Sequence, residues 1–324
     1  MKNKLHRIER LGGRSLAYTS VGREQVTDLL KLADLGVDET ALISIQPLKG
    51  GWANSNFLLT LKNNTKLVLK GWDERPPEEV KQVTQSTLWL SEHGCPTPVP
   101  MELQNGERMA IVDGMAWMII PFIEGGWLPT DTASLFDLGR VLANLHSIPD
   151  TTIIPRNFAL GFDYWEKLST TAITENIGVG FAKLLATEAT ALREKIPPNL
   201  PHGIIHADLF PDNVIGIEGK VLALLDFEEI CIGPFVFDIM MTYAGFGWKD
   251  GQPLNESLQA LLDGYQSIRK LTPEEHAALP DFHRYATLSI AAWRFWQFMI
   301  KIPGTKHADR YLEMVGRLDV DLPL

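Results

Sequence analysis

The chain has 324 residues, enough for a large core and more than the commonest single domain, so two lobes are expected. Apolar residues make up 45% and charged residues 22%, the composition of an ordinary soluble globular protein. Lys plus Arg number 30 against 40 Asp plus Glu, and the net charge of −10 argues against nucleic acid as the main partner, because phosphate-backbone binding needs a concentrated positive field. A small basic pocket for nucleotide phosphates remains compatible with that balance. No stretch of about 18 apolar residues free of charge occurs, so no membrane span is expected. Cys95 and Cys231 lie far apart and form no disulfide or metal spacing. The basic start Met1–Arg7 is not followed by the apolar run of a secretory signal, and together these features predict a cytoplasmic protein.

In chain order, residues 1–20 are polar, contain Gly12-Gly13, and read as a loosely ordered lead-in. Helical spacing of Val26, Leu29, Leu30 and Leu32 follows within residues 24–35. Phe57–Leu61, the polar turn Lys62–Thr65 and Lys66–Lys70 form a hairpin signature. Pro76-Pro77-Glu78-Glu79 marks a helix start, with the end near Gly94, and two further strands fit Met109–Val112 and Met115–Ile120. Beyond Pro121 the character changes. Leu135–Leu145 is amphipathic, residues 164–196 read as two helices broken near Gly178 and Gly180, residues 201–238 read as loop-rich, and the chain from Leu254 reads as helix. A strand-rich first part before a helix-rich second part predicts an α+β fold of two lobes, residues 1–121 and 122–324.

The most specific segment is Gly203–Val214, with His206, Asp208 and Asn213, followed by the apolar run Val221–Leu225 and Asp226-Phe227. Phosphoryl transfer asks a protein mainly for positioning and charge neutralisation. One carboxylate must orient the attacking hydroxyl and accept its proton, and an amide oxygen with a second carboxylate suits magnesium, a hard cation. Asp208, Asn213 and Asp226 supply that set. Pro211-Asp212-Asn213 turns the chain back toward Asp208, and residues 221–225 read as a buried strand presenting Asp226 at its end.

This segment resembles the catalytic and metal-binding loops of the aminoglycoside phosphotransferase and choline kinase superfamily, relatives of the protein kinases. The resemblance implies a protein-kinase-like fold, with an antiparallel sheet lobe preceding a larger helical lobe. It also implies ATP and Mg2+ as cofactors, Asp208 as catalytic base, Asn213 and Asp226 as metal ligands, and His206 as a support of the loop. Asp226-Phe227-Glu228 lacks the third-position glycine of protein kinases, which weakens any analogy with activation-loop switching. Lys49–Leu58 contains Gly50, Gly51, Asn54 and Ser55 before the hairpin, where glycine lets backbone amides approach phosphates. Lys70, ending the second strand, is then the favoured phosphate ligand. The acidic partner of Lys70 on the next helix stays open between Glu78, Glu79 and none. Trp117–Gly125 resembles the hinge of this superfamily, which places adenine against the backbone of Phe122 and Ile123. Leu138–His146 is assigned to packing and Asp238 to loop fixing.

The acceptor is read from weaker signals. His206–Asn213, Ala17–Val21, Asn54–Leu59 and Ala291–Trp296 resemble the homoserine kinases of this fold, across roughly residues 16–318. A small hydroxylated amino acid needs a fixed cation for its carboxylate. Arg294 suits that role bidentately, with Trp293 and Trp296 as walls or core. Glu228 and Glu229 beside the metal site would suit an amine. They keep choline-like, ethanolamine-like and aminosugar acceptors in play, together with a bacterial Ser/Thr protein kinase of the same superfamily.

Overall fold

Period-two alternation builds the first sheet. In the computed structural model, which describes residues 19–33, 35, 41–48 and 54–322, the first helix is α1 (Arg23–Leu32). The strands β1 (Leu42–Pro47), β2 (Ser55–Leu61), β3 (Lys66–Gly71), β4 (Ala110–Val112) and β5 (Met115–Pro121) follow. They form one antiparallel sheet in the order β1-β2-β3-β5-β4. The polar lead-in before Thr19 and the glycine pair Gly50 and Gly51 lie outside the described residues. The β2–β3 turn carries Asn64 at φ 63°, a left-handed conformation that asparagine tolerates, and the Asn63 side chain accepts the Thr65 amide at 3.0 Å.

The two faces of this sheet bury different partners, because successive side chains point to opposite sides. Trp117 and Ile119 pack with Val26, Leu29 and Leu30 of α1, whereas Ala116 and Met118 pack with Trp72 and Val80. Val80 belongs to α2 (Pro77–Glu92), which opens with proline and two acids in its first turn, as its sequence predicts. β1 escaped the sequence reading. It is an edge strand that ends in proline and buries only Leu42 fully, so it carries little periodic signal.

After β5 comes β6 (Gly126–Trp127), then α3 (Thr132–His146), α4 (Phe162–Thr174) and α5 (Val179–Lys195). The Asp131 carboxylate caps α3 by accepting the Ser134 amide at 3.0 Å. The stretch expected to be loop-rich instead contains short strands: β7 (His202–Ile205), β8 (Val214–Ile217), β9 (Lys220–Leu224) and β10 (Cys231–Pro234). β7 pairs with β10, and β6, β8 and β9 form a second small sheet. Each of β7 to β10 is only four or five residues long, too short to show a period. β9 is also not the buried strand expected: Leu222 is 38% exposed, because the β8–β9 hairpin lies over α3 with one face to solvent.

The centre of the larger lobe is α6 (Phe235–Phe246), buried almost all round. The two-residue strands β11 (Trp248–Lys249) and β12 (Gln252–Pro253), then α7 (Asn255–Gln266) and α8 (Pro273–Phe295) follow. α8 begins with a reciprocal capping box of Thr272 and Glu275 and runs into a π-helical turn, Trp296–Lys301. α9 (Arg310–Val315) packs back on α8. The result is a sheet lobe with its own core and a larger, mainly helical lobe with another. No described helix is long and apolar enough to cross a membrane.

Candidate active site

β7 delivers the chain into the loop that holds His206, Ala207 and Asp208. Ala207 sits at φ 66°, a left-handed conformation costing a residue with a side chain on the order of 1 kcal/mol. The compensation is visible. The buried Asp238 carboxylate, from α6, accepts the His206 amide at 2.7 Å and the Ala207 amide at 2.8 Å. His146 of α3 completes the arrangement, with Nε2 at 3.1 Å from Asp238 and Nδ1 at 2.7 Å from the Tyr265 hydroxyl. Burial alone would raise the Asp238 pKa, but the His146 contact and the two amides hold it below the ordinary carboxylate range. Burial keeps His146 and His206 neutral. His206 then links two loops: its Nδ1 accepts the Asp208 amide at 3.3 Å and its Nε2 donates to the Leu225 carbonyl at 2.9 Å.

Asn213 closes a one-turn 3-10 helix, Pro211–Asn213, and its Nδ2 donates to the Asp208 carbonyl at 2.8 Å. That fixes the amide so that Oδ1 is the atom left for a cation. Asp226, at φ 62°, follows β9 and takes Lys70 Nζ at 2.8 Å on Oδ1. Lys70 also lies 4.1 Å from the centroid of the Trp72 ring. Lys70 thus pairs in this structure with Asp226 and not with a carboxylate of α2, where Glu79 instead faces Arg75 at 3.5 Å. Desolvation, then the charges of Asp226, Glu229, Glu228 and Asp212, push the Asp208 carboxyl well above its ordinary value. Burial raises Asp226 as well, with Lys70 opposing the shift.

Arg75 is the residue that the sequence did not signal. It is 8% exposed, and its guanidinium donates to Glu228 at 3.0 Å and Glu229 at 2.6 Å. A lone arginine in a polar turn is ordinarily solvated, so nothing in Asp73-Glu74-Arg75-Pro76 announces a buried clamp on the loop after Asp226. The acidity of Glu228 and Glu229, which suggests an amine acceptor, is in part offset by this guanidinium.

These groups open onto one cavity of about 520 Å³, lined by Asn54, Asp208, Asn213, Asp226 and Glu228 and, from the C-terminal helices, by Trp293 and Arg294. Asn54 donates to Glu228 at 3.3 Å, and its buried Oδ1 has no hydrogen-bond partner. Ser55 points elsewhere. It alternates to the opposite face of β2, is fully buried, and donates to Asp73 at 2.6 Å. Lys70 reaches the cavity wall through Asp226. Phe122 and Ile123 lie in the link after β5, outside the lining, and the Phe122 amide donates to the Lys66 carbonyl at 3.3 Å. Trp293 is half-buried, edge-on to Phe298 with ring centroids 6.1 Å apart, and Arg294 bonds Glu313 at 2.9 Å.

Among the described residues no group of three or more His, Cys, Asp or Glu side chains forms a metal cage. The donors at hand are one amide oxygen and one carboxylate, beside a crowd of carboxylates whose mutual repulsion a cation relieves. That fits a hard divalent ion taking its remaining ligands from phosphates and water.

A sheet lobe, a helical lobe, and a lysine, two aspartates and an asparagine meeting beside a cleft define the class: a protein-kinase-like phosphotransferase. The family description "Phosphotransferase enzyme family" matches residues 44–271, and the chain belongs to that family. It is 29% identical over 291 residues to the homoserine kinase of Rhizobium meliloti (strain 1021), covering 89% of this chain and 88% of that one. The structure resembles a microcompartment-associated aminopropanol kinase (TM-score 0.68, 18% identity, 92% of this chain and 95% of that one). It also resembles an amicoumacin kinase in complex with AMP-PNP, Ca2+ and its ligand Ami (TM-score 0.67, 15% identity, 93% and 96%).

Proposed function

We propose that this protein transfers the γ-phosphoryl group of ATP to the hydroxyl of a small amino-alcohol metabolite, with homoserine as the leading acceptor. Residues 1–121 act as the nucleotide-binding lobe and residues 122–324 as the catalytic and acceptor lobe. The observation that carries the reading is the junction of Asp208, Asn213, Asp226 and Lys70, held by two loops that the buried Asp238 and the neutral His206 bind together. The homoserine kinase relative supports the acceptor, and the AMP-PNP complex of the amicoumacin kinase supports ATP as donor.

Lys70 would exchange its bond to Asp226 for the α and β phosphates of bound ATP. The phosphates are assigned to the glycine-containing segment Gly50–Asn56, and the adenine to the link at Phe122–Glu124. Asn213 Oδ1 and Asp226 would hold magnesium, which supplies positive charge against the phosphate oxygens. Asp208 orients the acceptor hydroxyl for in-line attack and accepts its proton. Burial first, and the neighbouring carboxylates second, raise its carboxyl; a cation held beside it would offset the second contribution and favour the charged form that accepts a proton.

The test is magnesium-dependent ADP release from ATP with homoserine, choline, ethanolamine, an aminoglycoside and a generic protein, with Asp208→Ala as blank. Turnover of homoserine above the others is expected. Activity confined to choline, ethanolamine or the polypeptide would reject homoserine, and no turnover of any acceptor would reject the kinase.

A further inference from the structure

The cavity wall built from α8 and α9 carries a group that phosphoryl transfer does not use. Arg294, Glu313 and Arg317 all line the cavity. Arg294 Nη1 donates to Glu313 Oε2 at 2.9 Å and to the Arg310 carbonyl at 3.2 Å. Arg317 Nη2 donates to Glu313 Oε1 at 2.8 Å, and its Nη1 to the Ala244 carbonyl at 2.8 Å. One carboxylate thus serves two guanidiniums whose side chains are 12% and 10% exposed, while Glu313 itself is 50% exposed. A guanidinium has five N–H donors in a fixed fork. Arg317 Nε is buried and has no acceptor in the protein. A buried donor in this state demands an acceptor, and the arginine that carries it lines a cavity whose other wall holds Asp208.

We infer that Arg294 and Arg317 form the subsite for the carboxylate of an amino-acid alcohol, with Glu313 an internal carboxylate that the substrate displaces. The inference rests on the kinase reading above and narrows its acceptor. Exchanging one carboxylate for another on the same two guanidiniums is nearly neutral in itself. Binding is driven by what Glu313 leaves unmade, the acceptor for Arg317 Nε, and by the contacts of the ammonium and hydroxyl. A cationic alcohol without a carboxylate cannot displace Glu313, so the subsite selects against choline-like and ethanolamine-like acceptors.

The experiment compares L-homoserine with 3-aminopropanol, the same acceptor without its carboxylate, in the wild type, Arg294→Gln and Glu313→Gln. Wild-type kcat/KM is expected to favour homoserine by about tenfold or more, and Arg294→Gln to cut that ratio by about tenfold through the homoserine KM. Glu313→Gln is expected to lower the homoserine KM. An unchanged ratio in Arg294→Gln, or an equal fall for both acceptors, overturns the subsite and leaves Arg294 as a clasp for α9. A homoserine KM that rises in Glu313→Gln overturns displacement. Melting shifts separate the two readings. If the wild type turns over neither acceptor, yet homoserine raises its Tm and not that of Arg294→Gln, homoserine as phosphoryl acceptor falls and the subsite stands. Absence of turnover and of any shift overturns the subsite too.

Discussion

Asp208 and Asp238 are both buried or half-buried carboxylates in one loop system, and their surroundings set them to different tasks. Asp238 accepts two backbone amides and the His146 ring, which stabilise its charge in a fixed place. Asp208 is half-buried facing other carboxylates, which suits a group that takes up a proton. Asp208→Ala is expected to lower kcat by about a hundredfold to ten-thousandfold while changing nucleotide affinity little, as steady-state rates and calorimetric titration would read. Asp238→Ala strands three buried donors and should cost about 4 kcal/mol in urea unfolding, with a parallel loss of activity. A loss below about 1 kcal/mol would show that the Ala207 conformation does not depend on that carboxylate.

At the scale of elements, the loop that carries Asp208 is held by the Asp238 side chain of α6, which His146 of α3 backs, and α3 is the pivot. α3 crosses α7 at backbone distance. A methyl group on Gly139 would run into the carbonyl of Leu261 and the amide of Tyr265, and one on Gly264 into the carbonyl of Phe136. This close crossing sets Tyr265 against His146, and His146 against Asp238. Gly139→Ala should therefore destabilise by about 3 kcal/mol, as overpacking between rigid backbones does. Its activity should fall even at temperatures where it stays folded, because the His146–Asp238 contact shifts with α3. Full activity in a folded Gly139→Ala would detach the crossing from the loop. The π-helical turn after α8 makes a second connection: Lys301 pairs with Glu74, and so ties the helical lobe to the sheet lobe beside the cavity.

For the whole molecule, acid stability follows from the groups the fold buries neutral. His283 of α8 is buried, stacked on Trp248 with ring centroids 5.5 Å apart, and its pKa falls to about 4 through desolvation and the nearby Arg317 and Arg284. The unfolded chain binds a proton on this ring below about pH 6.5, whereas the folded protein refuses it until about pH 4. Stability is therefore lost as pH falls through that window, by up to about 3 kcal/mol from this one group. His283→Phe should lose less stability between pH 7 and pH 4.5 than the wild type, as urea midpoints at the two pH values would show. Equal losses would mean that the ring is protonated in the folded state.

The sequence by itself determined the α+β class, the longer elements and the small set of residues that make phosphoryl chemistry conceivable. Start and stop signals mark α2, local patterning marks α3 and the β2–β3 hairpin, and the spacing of Asp208, Asn213 and Asp226 is a short-range property that survives without a structure. Short strands such as β7 and β10 were not legible, because four residues carry no period and exist only through pairing with one another. Nor was Arg75, whose role depends on carboxylates more than 150 positions away being brought to it. Ser55 shows the same limit in reverse: it follows Asn54 directly, but strand alternation turns it into the sheet lobe and away from the cavity. Only the tertiary structure decided which charged groups meet, since burial and long-range pairing, and not local spacing, set the fate of a charge.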